Sequence, residues 1–238
     1  MKTNNLYNIL TLIYKMIVYN LRIIFANRFI WFLAGSVLFY LGLSVIYVFS
    51  EDVSRMKDLY GVFLFSGILL VFYPSVFGIQ NDQDARTIEI LFGIPNYRYK
   101  VWLVRIILIF VIAFLIMLVF TWLSSVLIVK FRFVDMTAQV MIPVLFLGVM
   151  AFMLSTVVRN GNGTAVLMII FGLFFMILSE NLYRSQWNVF LNPYDPPYDV
   201  NETTWAIITL KNRIILITGS IVFLLTALYN LQKREKFM

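Results

Sequence analysis

The chain has 238 residues and a net charge of +7; 61% of its residues are hydrophobic and only 13% are charged. A soluble domain is nearer half apolar and one quarter charged, so this composition indicates an integral membrane protein. Cysteine and histidine are absent, which excludes disulfide frameworks, thiol nucleophiles, Cys/His metal sites and histidine acid–base chemistry.

Residues 1–28 carry apolar side chains at helical spacing, with Lys15 and Arg22 off the apolar stripe. This pattern predicts an amphipathic helix that lies in the membrane interface and leads into the first span. The alternative is a water-exposed segment, for which little polar surface remains. A signal peptide is not predicted, because the apolar run that follows is too long and no small-residue cleavage site comes after it.

Six stretches are long enough to cross a bilayer core, which needs about 20 apolar residues. We predict spans at Phe29–Ser50, Leu59–Gln80, Ile106–Val129, Ala138–Val158, Thr164–Tyr183 and Ile214–Leu231. The predicted fold is therefore an all-α integral membrane protein with six transmembrane helices in a single domain, 1–238. Only Glu180 places a charge inside a predicted span. An ion-driven transporter is disfavoured, because ion or proton coupling normally places carboxylates in the middle of spans.

The basic residues predict the orientation. If both termini are cytoplasmic, twelve of the 19 lysines and arginines lie on the cytoplasmic side and seven lie outside. The positive-inside rule therefore favours cytoplasmic N- and C-termini. It also assigns most of the basic charge to the flanks of spans rather than to nucleic-acid binding. We expect a multi-pass protein of the cell membrane (inner or plasma membrane) of a bacterium.

Residues 81–100 form a polar segment between the second and third spans. Asn81 or Asp82 can cap a helix, and acidic residues suit its positive N-terminal end. Ile88, Leu91 and Phe92 then fall on one face of that helix, which Gly93 and Pro95 terminate. The sequence predicts a short amphipathic helix at the cytoplasmic membrane surface.

Residues 184–213 are the longest predicted connection. Its centre has turn composition with three prolines, and its apolar ends, Trp187–Leu191 and Trp205–Leu210, are too short to cross. We predict an external re-entrant hairpin that dips into the outer leaflet. Glu180 and Arg184 stand four residues apart and are expected to pair as an outer clamp, with a substrate contact as the alternative.

The layout and one local motif resemble a known family. The motif runs Asp84-Ala-Arg86-Thr87-Ile88-Glu89-Ile90-Leu91, then Ile94-Pro95 and Arg98. With the N-terminal helix, six spans and external hairpin, it resembles the membrane subunits of ABC exporters of the type 2 permease class, in which this segment is the coupling helix. One departure is Gly93-Ile94, where the family often has a small polar residue before the proline.

The resemblance implies partners and roles. In the family the coupling helix docks on a cytoplasmic P-loop ATPase subunit, and two permease subunits, identical or different, form the translocation path. ATP and Mg²⁺ would bind that partner, so this chain would carry no cofactor and would not be an enzyme by itself. The implied coupling residues are Asp84, Arg86, Thr87, Ile88, Glu89, Leu91, Phe92, Pro95 and Arg98. The helix could instead pack only on its own bundle.

The second and fifth spans are expected to line the path, because family members use these spans at the dimer axis. Pro74 should kink the second span and free the carbonyl of Leu70, which must then face the bundle or the dimer axis rather than lipid. The candidate pathway residues are Tyr73, Pro74, Phe77, Phe171 and Phe174.

Two other function classes remain open at this stage. One is a membrane scaffold or assembly factor that binds a cytoplasmic protein through the same helix. The other is a membrane-embedded enzyme, for which catalytic groups within the spans are lacking. Polysaccharides, lipids, peptides and drugs are all possible substrates of an exporter with this layout.

Overall fold

The computed structural model describes residues 29–49, 56–84 and 98–232. In this part of the chain all regular structure is helical. The helices are α1 (Phe29–Phe49), α2 (Met56–Asp84), α3 (Val104–Leu127), α4 (Phe133–Val158), α5 (Gly161–Asn181) and α6 (Glu202–Asn230), with a π-helical turn at Arg98–Leu103 before α3. The predicted interfacial helix 1–28 lies outside these ranges.

All six helices are long and apolar enough to cross a membrane, so the prediction of a multi-pass membrane protein with six spans is confirmed. The two central helices are α2 and α4, whose residues are mostly buried, whereas α1 and α5 are largely exposed. The core between the central helices is apolar and includes Leu70, Val71, Val140 and Val144. The exposed apolar surface of the outer helices suits contact with lipid or with another membrane chain.

Side-chain hydrogen bonds link the helices across this core. The Ser36 hydroxyl of α1 donates to the backbone carbonyl of Ser66 in α2 at 2.9 Å. The Tyr40 hydroxyl of α1 donates to the carbonyl of Phe120 in α3 at 3.0 Å, and Thr121 of α3 meets Thr137 of α4 at 2.7 Å. Such polar links hold membrane helices together where burial of apolar surface supplies no driving force.

The bundle has two ends, which we call the near end and the far end. At the near end α2 ends and α3 begins, and Asn230 at the end of α6 donates to the Thr156 hydroxyl near the end of α4 at 3.2 Å. The far end carries the α5–α6 connection, where Asn192 donates to the backbone carbonyl of Lys57 at 2.9 Å. The end of α2, the beginning of α3 and the end of α6 therefore lie at the same end of the bundle.

The α5–α6 connection differs from the predicted hairpin. It is an irregular segment over residues 182–201, and Val189 and Leu191 are buried against the bundle. The second predicted arm, Trp205–Leu210, forms the first turns of α6, and Trp205 is itself buried. A continuous helix satisfies its own backbone hydrogen bonds, which explains why this stretch extends the span rather than forming a separate arm.

Cysteine labelling tests the orientation, since the chain has no native cysteine. In intact cells, cysteines at Asn96 and Gln232 are expected to react only with a membrane-permeant thiol reagent, because the distribution of basic residues predicts that the near end is cytoplasmic. A cysteine at the fully exposed Tyr198 at the far end is expected to react with an impermeant reagent. Impermeant labelling at Asn96 would contradict the orientation.

Candidate functional site

A buried ion pair joins the two helices that bracket segment 85–97. The Arg105 Nη1 of α3 donates to the Asp82 Oδ2 of α2 at 2.7 Å, and the two side chains are only 4% and 6% exposed. Removing one partner of a pair buried this deeply would leave the other charge uncompensated, which is strongly destabilising. The pair therefore clamps the end of α2 to the beginning of α3, and we call it the near-end clamp.

The Arg105 guanidinium makes a further contact and, within the described part of the chain, has unused hydrogen-bond donors in addition to its pairing with Asp82. Its central carbon lies 4.7 Å from the ring centroid of Trp102, a cation–π contact. Among the described residues, its Nε and Nη2 atoms have no hydrogen-bond acceptor, and neither has the Trp102 indole N–H. The near-end clamp therefore holds spare hydrogen-bond donors at the base of segment 85–97.

The end of α2 corrects the capping prediction. Asn81 and Asp82 do not begin a new helix; they lie inside α2, which continues to Asp84. Asn81 donates to the Tyr73 hydroxyl at 3.2 Å, and Asp82 is held by Arg105. Because tertiary partners engage both side chains, neither is available to cap a following helix at that point.

A close contact connects α2 to the start of α5. The Gly161 backbone N–H donates to the Gln80 Oε1 at 2.5 Å, and a Cβ built on Gly161 would lie 2.6 Å from that oxygen and closer still to the Phe77 ring. Only glycine fits there. Arg159 and Asn160 make the tight turn before it, with Arg159 at a left-handed φ of 60° and the Asn160 side chain accepting from the Gly163 N–H at 3.0 Å.

Most of the predicted coupling residues lie outside the part of the chain that the structure describes. These are Arg86, Thr87, Ile88, Glu89, Leu91, Phe92 and Pro95. Of the other two, Asp84 is the exposed last residue of α2, and Arg98 begins the π-helical turn. The structure therefore describes both attachment points of the predicted coupling helix, and the helix itself stays a prediction.

The predicted pathway residues fall into two separate groups. Tyr73 and Pro74 of α2 are buried in the bundle, where Tyr73 stacks on Phe32 and Phe77 at centroid distances of 5.0 and 5.1 Å. The burial of Leu70 and Pro74 agrees with the expectation that this level of α2 avoids lipid.

The second group projects from the bundle. Phe171 and Phe174 of α5 are 36% and 52% exposed, and both rings contact Phe175 of their own helix. The buried residues of α5 are Gly161, Thr164 and Met168, all in its first half. Within one copy of the chain, these phenylalanines do not meet Tyr73 and Phe77.

At the far end the expected clamp has a different partner. The Arg184 Nη1 donates to the Asp199 Oδ2 at 2.5 Å. Because α5 ends at Asn181, Glu180 and Arg184 do not share a helix face and the predicted pairing is replaced. Nearby, burial and the Asp195 carboxylate raise the pKa of Tyr183, whose hydroxyl donates to that carboxylate at 3.2 Å.

Sequence reasoning missed three features of the bundle. It treated Arg105 and Arg213 as basic flanks of spans, although both are buried, and it did not reveal the close contact between Gly161 and α2. The sequence did contain a signal for the near-end clamp. One apolar run ends with an acidic residue, and the next begins with a basic residue.

Comparison of the chain with protein-family models, with curated proteins and with solved structures finds no match. The assignment of a function therefore depends on the residues of the chain and on their arrangement.

Proposed function

We propose that the chain is the membrane subunit of an ATP-driven exporter of the type 2 permease class, working as a dimer with separate cytoplasmic ATPase subunits. The observation that carries this proposal is the near-end clamp, Asp82–Arg105, at the base of segment 85–97. An amphipathic segment can move membrane helices only if it is attached rigidly to them. A buried ion pair across its two attachment points provides such a connection.

The contacts at the near end suggest how motion would pass into the bundle. A partner that holds the apolar face of Ile88, Leu91 and Phe92 would pull on α2 and α3 together, because the near-end clamp joins them. The Gln80–Gly161 hydrogen bond would pass the same displacement to α5. Movement of α2 and α5 relative to a second copy would open the path alternately to either side.

The outward-facing part of α5 is the better candidate for the path wall. Tyr73 and Pro74 are packed inside one copy, whereas Phe171 and Phe174 are exposed. A path that forms between two copies is lined by residues that each copy leaves exposed. We therefore assign the path to the second half of α5, and assign Tyr73 and Pro74 to support of α2.

Leu91→Asp tests the proposed docking of an ATPase. The substitution places a carboxylate on the apolar face of the segment, where burial in a groove costs several kcal/mol if the charge stays unpaired. We expect co-purification of a P-loop ATPase with the tagged wild-type chain and its loss with Leu91→Asp, while insertion and thermal stability of the permease are unchanged.

Glu89→Ala is the matched control, because a rim contact contributes about 0–1 kcal/mol and association should persist. If the Leu91→Asp variant still associates normally with the ATPase, the apolar face that contains Leu91 does not dock on the ATPase. If a different protein, and no ATPase, co-purifies and is lost with Leu91→Asp, the scaffold or assembly function is correct instead.

Phe174→Ala tests the path. The ring is half exposed and its ring contact is within α5, so we expect assembly and stability to be retained while ATP-driven transport, or its coupling to hydrolysis, changes severalfold. Leu225→Ala is the control, since Leu225 is similarly exposed, at 61%, but lies on α6. Transport by Phe174→Ala at the wild-type rate, measured in vesicles with the co-purified ATPase, would exclude Phe174 from the path wall.

A further inference from the structure

Arg213 of α6 is a buried cation with neutral partners. Its side chain is inside the bundle, and the residue is 4% exposed. Its Nε donates to the Gln139 Oε1 at 2.9 Å, its Nη1 to the Asn212 Oδ1 at 2.8 Å, and its Nη2 to the Tyr60 hydroxyl at 3.1 Å and to the Leu191 carbonyl at 3.2 Å. All four acceptors are uncharged.

Arg213 has no counter-charge among the residues that the structure describes. Across residues 29–49, 56–84 and 98–232, no carboxylate oxygen lies within 4.0 Å of its guanidinium, in contrast to Arg105, which pairs with Asp82. Neutral acceptors satisfy hydrogen bonds but do not offset the loss of hydration of a full charge. A buried guanidinium of this kind is best stabilised by an anion from outside the chain.

A cavity of about 480 Å³ adjoins Arg213 at the far end. Its lining includes Gln139, Thr209 and Trp205, and the Trp205 indole N–H donates to the Pro193 carbonyl at 3.1 Å, which fixes one wall. The volume falls within the range of about 300–1,000 Å³ that is usual for small-molecule sites. The cavity is therefore large enough for a polar headgroup.

Thr209 supplies a second, independent indication of a ligand. It lines the cavity, is 8% exposed, and its hydroxyl has no hydrogen-bond partner among the described residues. Buried hydroxyls are normally satisfied, so an unused one beside a cavity indicates a missing acceptor. Thr209 and Arg213 stand four residues apart on α6 and so lie on one face. Together they present a hydroxyl donor and a guanidinium donor to the same space.

The depth of the site matches the headgroup layer. With 29 residues, α6 is about 43 Å long at 1.5 Å per residue, whereas about 20 residues suffice to cross the hydrocarbon core. Counted back from Asn230, that core ends near Lys211, so the cavity lies at the boundary between acyl chains and headgroups. The one carboxylate in the lining, Glu202, is exposed and is about 16 Å farther along the helix axis from Arg213, too distant to neutralise it.

We propose that this cavity binds a phosphate-type anion, with Arg213 as its counter-charge and the Thr209 hydroxyl as a donor. The anion is either the phosphate of a phospholipid headgroup or a small soluble phosphate. A guanidinium and a neighbouring hydroxyl match the oxygens of a tetrahedral phosphate group. The site does not depend on the proposed transport function.

The binding test uses the full chain, purified in an uncharged sugar detergent and phosphate-free buffer. Dihexanoyl phosphatidic acid, dihexanoyl glycerol and inorganic phosphate are titrated, and thermal stabilisation and bound ligand by native mass spectrometry are measured. We expect phosphatidic acid to bind and dihexanoyl glycerol not to bind. If inorganic phosphate at millimolar concentration competes with phosphatidic acid, the site is open to soluble anions. If it does not compete, the site is specific for a lipid headgroup. Either result supports the proposal.

Thr209→Val tests whether the Thr209 hydroxyl binds the anion or only supports the structure. The Thr209 hydroxyl has no partner among the described residues, so we expect the unliganded variant to unfold at the wild-type temperature. Its affinity for phosphatidic acid should fall about tenfold, as for loss of a hydrogen bond to a charged group. Thr226→Val is the control, because Thr226 is exposed on α6 and its hydroxyl donates to the Val222 carbonyl of the same helix; its affinity should not change.

Arg213→Lys keeps the charge but removes the fork of donors, and we expect a larger loss of affinity than for Thr209→Val. Equal binding of dihexanoyl glycerol, no binding of any phosphate compound, or unchanged affinity in Thr209→Val would each overturn the proposal. Because Thr209→Val is expected to fold normally, the test stands even if Arg213→Lys fails to assemble.

Discussion

Asp82→Leu is expected to destabilise the protein by about 3–5 kcal/mol, the usual cost of removing one partner of a buried ion pair. Arg105 would remain buried with a full charge, and its Nε and Nη2 already lack acceptors among the described residues. Arg105→Met should cost a similar amount. In the double variant Asp82→Leu/Arg105→Met both charges are gone, so most of the lost free energy of unfolding should return.

The exposed pair Arg132–Asp135 provides the control, because its side chains are 88% and 52% exposed and Arg132→Met should cost about 0–1 kcal/mol. Reversible unfolding in detergent, followed by circular dichroism, measures all four variants. Equal effects of Arg132→Met and Arg105→Met would contradict the structure. The double variant also tests the proposed function: a stable protein that still binds the proposed ATPase partner but no longer couples hydrolysis to transport would assign force transmission to the near-end clamp.

Gly161→Ala is expected to destabilise the bundle by about 1–3 kcal/mol, as for other overpacked contacts. The added methyl group would lie 2.6 Å from the Gln80 Oε1 and closer to Phe77, so these two side chains, or α5 itself, must shift. The hydrogen bond from the Gly161 N–H to Gln80 would be lost or lengthened. If α5 carries the path, coupling should fall as well.

Gly172→Ala is the matched control on the same helix, because a Cβ there meets nothing within 4 Å. This change should be neutral or should stabilise α5 by about 0.5–1 kcal/mol, since alanine loses less entropy than glycine in a helix. The two variants are compared by thermal unfolding and by cross-linking of Gln80→Cys to a cysteine near the start of α5. Equal stability of the two variants would show that the close approach at Gly161 is absent in solution.

The number and approximate position of the spans follow from hydropathy, but the ends of the helices do not. Each predicted span overlaps an observed helix because apolar runs of this length have few other stable environments. The prediction of where α2 ends was wrong because Asn81 and Asp82 are good capping residues in isolation. Asp82 is held by Arg105 of a different helix, and Asn81 bonds to Tyr73, eight residues earlier in α2. A linear pattern of capping residues does not reveal either contact.

The same limit applies at the far end. A flanking role for Arg213 was a reasonable interpretation, because lysines and arginines next to spans usually lie in water or among headgroups. Its burial depends on Tyr60 and Gln139, which belong to different helices. The pairing of Arg184 with Asp199 likewise required the path of residues 182–201. Sequence reasoning located the polar residues, and only the packing of the helices decided which of them meet.

The position of Arg213 constrains how the bundle is made. An arginine opposes membrane insertion, by about 2.5–3.5 kcal/mol at the centre of a span and by less toward its end, where Arg213 lies. Helix α6 is the last of the six helices to leave the ribosome. The acceptors that satisfy its hydrogen bonds, Tyr60 of α2 and Gln139 of α4, have by then been synthesised. The insertion machinery would therefore release α6 most readily against a partly assembled bundle, so biogenesis of the final helix depends on the correct placement of the second and fourth.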